Sequence, residues 1–551
     1  MRECSPSWKF PATIGVVRSV SDTVQAIHVQ PALGAWRERG TRRPNVVLLT
    51  GIAVALVAGL PVVITVVQAI QGGAGAAKTA FTASATPTLF LHTIELAALA
   101  TPASGVLGLG AAWLTERTRV PGRRIWPLLL VAPLAVPLFV TSYAWATLSP
   151  SLTGFWGAAG IVTFSYYPIV FLLVAASLRV MDPALEETAR SLGLGAWRTF
   201  LRVVLPQLRA ALLGGMLLVL LDTLVEFDAF VALKFRTLSV NIYAQYQLGF
   251  SAAGAAALAL FSTLICVVVL LGEYRLRGGA NYTRISQGAR RGVVRYRLGR
   301  ATVPALLGLG LLVAVSLGVP LGLLVHWFAQ GTSTAGAPAG AGTLWSATLT
   351  TVLLGAAAGL LAVAMALPVA ILAVRRSGRL ANTIERSVYL SFALPDLVAA
   401  IALAYGASHV AHFLYGTVAL MVLAEAMLFV PFAVVALRGT IGLIEPSLEE
   451  SGRALGLGPL RTVWRVTVPL ARPGLAAAGV LVFTFVLGDL GTAQVLLPPG
   501  LTTLGTQFWA DSGTVAFAAA APFAAVLVVL ALLSTYVLMS RFGRARGFGD
   551  A

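Results

Sequence analysis

Charge is what this sequence has least of. Only 11% of its 551 residues are Asp, Glu, Lys or Arg, where a soluble domain carries roughly 25%. A water-soluble fold is thereby excluded. Cysteine is scarcer still: Cys4 and Cys266 are the whole complement, too few for a disulfide framework or a cysteine-built metal cluster. A cleavable leader is also missing from the reading. The first 45 residues carry seven Lys or Arg and no apolar run before Val46, so the first apolar helix itself is expected to target the chain.

What fills the chain instead is hydrocarbon, 58% of residues being apolar with a mean hydropathy of +0.86. Runs close to the roughly 20 residues that cross a bilayer as helix recur at 46–70, 88–114, 126–148, 155–178, 212–233, 252–271, 302–328, 343–374, 387–407, 413–437, 474–496 and 514–539. Twelve transmembrane helices are expected. The net charge of +18 follows the same plan: with both ends cytoplasmic, 36 of the 39 basic residues fall in tails and alternate loops, and only Lys78, Lys234 and Arg236 fall outside. That asymmetry is the positive-inside bias beside anionic lipid, and nucleic acid is not needed to explain it.

The chain repeats itself. Shifting it by 263 residues sets Pro183 on Pro446, Glu186 and Glu187 on Glu449 and Glu450, Arg190 on Arg453, Gly193 on Gly456, Pro206 on Pro469, Pro168 on Pro431 and Glu226 on Asp489. A shift of 262 sets Pro133 on Pro395 and Tyr143 on Tyr405. Six spans return the chain to its starting side, so the copies are parallel repeats. The expected division is a cytoplasmic tail (1–45), a first half (46–272), a basic linker (273–301), a second half (302–540) and a second cytoplasmic tail (541–551).

The most polar part of each half is a loop, 182–211 and 445–474, between its fourth and fifth spans. Pro183 suits a first helical turn, Glu186 and Glu187 sit at its positive end, and Glu186 to Arg190 has the spacing of a favourable pair. Gly193 stops this helix, and a second stretch runs from Ala196 to Pro206, where regularity should break. Taken alone, either loop reads as an amphipathic anchor with Trp197 and Phe200 in the headgroups. Two copies in register read as a shared dock.

Glu187-Thr188-Ala189, Gly193 and Val203-Val204-Leu205-Pro206 resemble the EAA signature of inner-membrane permeases in binding-protein-dependent ABC importers. The second copy, Glu450-Ser451-Gly452, Gly456 and Val466-Thr467-Val468-Pro469, departs at Gly452 and Val468. The resemblance implies an all-helical permease that is no enzyme and binds no cofactor. It implies two copies of an ABC ATPase subunit that use ATP and Mg and dock on these loops, and a periplasmic or lipoprotein substrate-binding protein. The setting it implies is a bacterial inner membrane, in contact with lipid. With two fused halves the chain is most similar to ferric iron permeases, with thiamine and aminoethylphosphonate permeases as further relatives. Leu224 to Asp228, followed by Thr237 and Asn241 to Gln245, is similar to a stretch of the iron group, with Glu226 and Asp228 where Asp and Gly are usual.

Ionisable groups at membrane depth point to function. Glu226, Asp228 and Asp489, with Asp222, Asp396 and Glu425, form a candidate acidic route for a cation, or else cap helix ends and pair with polar neighbours. His409 and His412 have a metal-compatible spacing but no neighbouring carboxylate or Cys, and read as ordinary loop residues. Residues 72–79 miss the phosphate-loop pattern at Ala77 and follow no strand. An ATP-independent secondary transporter is the rival reading. A membrane-embedded enzyme would need a nucleophile, metal set or acid pair that the sequence does not offer.

Overall fold

The computed structural model describes residues 46–82, 85–181, 184–247, 252–277, 295–330, 340–376, 378–391 and 394–545. These belong to one compact unit within Asn45–Ala551; residues 1–45, with Cys4, lie outside the described residues, as do Pro183 and most of the linker. Among the described residues there is no β-strand, only an isolated parallel bridge between Thr118 and Tyr296.

The first half runs α1 (Val46–Gln71), α2 (Gly73–Thr82), α3 (Thr86–Arg117), α4 (Trp126–Val131), α5 (Leu138–Leu148), α6 (Phe155–Val180), α7 (Ala184–Ser191), α8 (Ala196–Thr199), α9 (Leu205–Val225), α10 (Asp228–Ala232), α11 (Leu238–Gln247) and α12 (Ala252–Arg277). The second runs α13 (Thr302–Val313), α14 (Val319–Gln330), α15 (Ala341–Arg375), α16 (Arg379–Leu390), α17 (Asp396–His409), α18 (Val418–Ile441), α19 (Pro446–Ala454), α20 (Pro459–Thr462), α21 (Val468–Gly488), α22 (Gly491–Leu496), α23 (Leu504–Gly513) and α24 (Phe517–Ala545). The near-phosphate-loop segment is thus helical, in α2.

Nine helices among the described residues are long and apolar enough to cross a membrane, or ten if α4 and α5, bent by 90°, make one span. The expected count of twelve is not reached. The sixth expected span lies in the 26-residue helix α12, whose fully described apolar stretch is Ala253–Val269, and the ninth divides into α16 and α17. The breaks have local causes. Pro137 and Pro395 each stand just before a helix with extended backbone, at ψ 140° and 137°, where proline's fixed φ and missing N–H suit the start of the helix that follows. These two prolines are the structural equivalents, which moves the register to 258 and corrects the pairing of Pro133 with Pro395. The fifth and eleventh expected spans also stop early, at Glu226 and Asp489.

Each half is built on a tight trio of helices. In the first, α3 packs on α6 and both meet α9; in the second, α15 packs on α18 and both meet α21. Small residues allow the approach: a Cβ on Gly108 would lie 2.7 Å from the Tyr167 carbonyl oxygen, and one on Gly359 would lie 3.0 Å from that of Gly479. The leading helix of each half crosses to the other. α1 lies on α15, α16 and α17, with Ala58 inside the second half's apolar cluster, while Leu309 and Leu312 of α13 enter the first half's cluster. The halves therefore share packing as well as a linker.

Candidate functional site

The two loops fold alike. α7 and α19 are short helices that begin with acidic residues and end at Gly193 and Gly456, with φ of +84° and +87°. Only glycine adopts that conformation without strain, and it lets the Leu194 amide reach back to the Ala189 carbonyl, and Leu457 to Gly452. Residues 200–204 and 463–467 then form a π-turn in each copy. Pro206 and Pro469 stand at the second position of the helix that follows, so regularity breaks just before them while the chain stays helical. The break is a wider turn, in which Leu205 bonds to Phe200 and Val468 to Val463, and it absorbs the register change.

The paired glutamates divide their roles. Glu187 and Glu450 are exposed, while Glu186 and Glu449 are turned inward and buried. Glu186 Oε1 lies 2.9 Å from Arg117 Nη2, a guanidinium fully buried at the end of α3, in a close ion pair off the line of a hydrogen bond. Its Oε2 accepts from the Tyr296 hydroxyl at 2.9 Å. The expected Glu186–Arg190 pair is replaced by these contacts, and Arg190 instead sits 4.9 Å over the Tyr296 ring. Burial, and then the adjacent Glu186 carboxylate, push the Tyr296 phenol above its ordinary value, so it stays protonated and donates.

In the second copy, Glu449 Oε1 accepts from Arg375 Nε at 3.2 Å and from the Thr467 hydroxyl at 3.0 Å. Arg375 ends α15 as Arg117 ends α3, at the 258 register, and also donates to the Ile444 carbonyl at 2.8 Å. Further ion pairs, Arg179 with Glu116 and Arg438 with Glu385, fix the neighbouring helix ends. Ala189 is buried, whereas a Cβ on Gly452 would come within 3.3 Å of Val466. Leu192, Trp197, Leu455 and Trp464 are strongly exposed, so each loop presents apolar side chains outward from an anchored base.

At the other ends of α9 and α21 the intramembrane acids gather. Glu226 Oε1 accepts from the Ala229 amide at 3.1 Å and its Oε2 from the Tyr166 hydroxyl at 3.3 Å; Asp489 Oδ1 accepts from the Thr492 amide at 3.3 Å. Both thus cap the short helix that follows. Asp228 is buried, with its carboxyl against Glu226 and within electrostatic reach of Asp489. Asp396 and Glu425 lie against Asp489, and Asp222 lies against Tyr166. Glu425 is 1% exposed with neither oxygen hydrogen-bonded. Asp222, Glu226, Asp396 and Asp489 keep partial exposure. Beside them Phe227 packs on Leu397 and Ile401, joining first half to second. No ion pair among the described residues links these carboxyls to a basic side chain.

No group of three His, Cys, Asp or Glu among the described residues is arranged to hold a metal ion. His409 stacks on Tyr405 at 4.0 Å, and His412 is exposed. Sequence reasoning missed Arg117, Tyr296, Thr467 and Tyr166, and it read Arg375 as topology alone. An arginine ending the second span of each half was the visible signal for the first anchor.

The family described as "Binding-protein-dependent transport system inner membrane component" matches residues 104–276 and again 359–545, more than half of the chain. The chain is 32% identical over 451 residues to the Fe(3+)-transport system permease protein FbpB 2 of Haemophilus influenzae, covering 82% of this chain and 89% of that one. It is 25% identical over 378 residues to the ferric transport system permease protein FbpB of Actinobacillus pleuropneumoniae, 65% and 54% of the two chains. It is 30% identical over 199 residues to the sulfate transport system permease protein CysT of Escherichia coli, 32% and 72%. Twice-matched, all-helical and multi-pass, the chain belongs to the binding-protein-dependent transport system inner membrane components, a family of ABC permease subunits and not of enzymes, and carries both permease halves in one polypeptide.

Proposed function

We propose that this permease imports ferric iron, delivered to its outer face by a periplasmic or lipid-anchored binding protein and moved inward at the expense of ATP hydrolysed by two copies of a separate ABC ATPase. ATP and Mg belong to that partner. Both termini, the linker and the two loops lie in the cytoplasm. The observation that carries the reading is the duplicated loop, with its buried glutamate tied to the end of the second span and its apolar residues facing out. A push on either loop reaches α3 or α15 through that ion pair, and each of these helices belongs to the trio that builds its half. ATP-driven closure then rocks the halves and changes access at the acidic centre.

Iron is supported by two relatives that carry ferric transport in their names. The carboxyl cluster agrees in sign: it attracts a cation and repels an anion such as sulfate. Thiamine and aminoethylphosphonate remain the alternative cargoes, and an ion-driven transporter the rival mechanism. Metal-dependent binding by the partner protein, followed by ATP-dependent iron uptake in vesicles, tests cargo and energy source together. Uptake driven by an ion gradient without nucleotide sinks the proposal. Glu226→Ala with Asp489→Ala should abolish uptake at normal membrane levels of the chain; unchanged uptake removes these acids from the path.

A further inference from the structure

The two docks are held by different donors, and the difference lies in the linker. In the second half the hydroxyl that reaches Glu449 belongs to Thr467, on that half's own π-turn. The equivalent residue in the first half, 263 positions earlier, is Val204, fully buried on the matching π-turn and without a hydroxyl. The donor missing there is supplied by Tyr296, whose hydroxyl lies 2.9 Å from Glu186 Oε2. The linker end is seated to deliver it: the Tyr296 amide donates to the Arg117 carbonyl at 2.8 Å, and the Arg119 amide donates to the Tyr296 carbonyl at 3.0 Å. Trp113 stacks on one side of the ring at 5.9 Å, and Arg190 of α7 approaches it at 4.9 Å. Tyr296 therefore touches the ion-paired glutamate, the arginine of the docking helix and the backbone after α3 at once.

We propose that Tyr296 is a positioning residue for the first ATPase dock alone, so that the linker between the halves is a working part of that dock and has no counterpart in the second. The inference rests on the proposed function, because it takes α7 and α19 as ATPase docks. Without the hydroxyl, Glu186 keeps Arg117 but loses its one hydroxyl donor among the described residues, while the ring beneath Arg190 stays. α19 is untouched.

The test uses the assembled transporter in native membranes, with a photoreactive amino acid at Leu192 or at Leu455, equivalent and strongly exposed positions on the two loops. Tyr296→Phe should lower labelling of the ATPase from position 192 by about tenfold, the equilibrium equivalent of one lost hydrogen bond to a charged group, and leave labelling from 455 unchanged. Val204→Thr, which restores a hydroxyl in the place Thr467 occupies, should bring labelling from 192 back in the double variant. Thr467→Val should give the mirror result, a loss from 455 only. An unchanged signal at 192, an equal loss at both positions with normal membrane levels of the chain, or a loss that Val204→Thr does not mend would overturn the inference. Labelling from neither position in the otherwise unaltered chain would overturn the proposed function as well.

Discussion

The halves of this permease share a plan and differ in where they place their polar groups. In the first half the acids are Asp222, Glu226 and Asp228, at the end of the fifth span and just past it. In the second, Asp489 keeps the place of Glu226, but Phe485 replaces Asp222 and Gly491 replaces Asp228. The second half adds Asp396 and Glu425 where the first has Leu138 and Val162. A common centre is thus filled from complementary positions. Gly491 shows why: a Cβ there would lie 2.6 Å from Asp396 Oδ2, so the half that carries Asp396 has no room for a side chain opposite it. Duplication fixed the frame, and each copy filled a different part of it.

The docks offer the largest contrast to break. Arg117 is fully buried and its guanidinium makes no hydrogen bond, so Glu186→Ala leaves an uncompensated charge inside the protein and should cost about 3–5 kcal/mol. Glu449→Ala should cost about 1–2 kcal/mol, because Arg375 is partly exposed and keeps the carbonyls of Ile441 and Ile444. Denaturation of the two purified variants in nanodiscs checks the ordering, and equal losses would mean that the anchors are equivalent after all. At the acidic centre, Gly491→Ala should cost about 1–3 kcal/mol by overpacking against Asp396 and Phe227. Adding Asp396→Ala should recover part of it; additive losses would show that the two residues do not compete for space.

The same comparison shows what the sequence can reveal. The loops were legible because duplication held them in one register, and a charged segment repeated at equivalent places has few bland explanations. Their anchors were not, since Arg117 and Arg375 are related by 258 residues instead of 263, and Tyr296 stands in a linker with no second copy to compare. Hydropathy found the apolar runs but not their interruptions, because a helix ends where a carboxylate caps the next amide, as Glu226 does at Ala229, and such caps leave mean hydropathy unchanged. The acids were recognised as a group. Their division between capping, as at Glu226 and Asp489, and lack of any donor, as at Glu425, required the geometry.

Glu425 sharpens that division at smaller amplitude. A buried carboxyl group packed against the carboxyls of Asp489 and Asp396 is costly to keep, and an amide can donate to them, so Glu425→Gln should raise stability by about 1 kcal/mol while lowering iron uptake. A gain in stability with uptake intact would remove Glu425 from the cation route and leave the second half with Asp396 and Asp489.

The smallest expected effect tests whether the departure of the second loop from the EAA pattern matters. Gly452 occupies the place of Ala189 inside a helix, where glycine costs about 1 kcal/mol relative to alanine. A methyl group there meets Val466 at 3.3 Å and Leu457 at 3.4 Å, both side-chain atoms that can yield by a few tenths of an ångström. The propensity gain and the crowding nearly offset each other, so Gly452→Ala should change stability by no more than about 0.5 kcal/mol. Ala189→Gly in the first loop has no crowding to relieve and should lose the full propensity difference, about 1 kcal/mol. If Gly452→Ala instead proves as costly as overpacking at Gly491, the glycine is required by the closer seat of α19 on its π-turn, and the two loops differ in packing as well as in their donors.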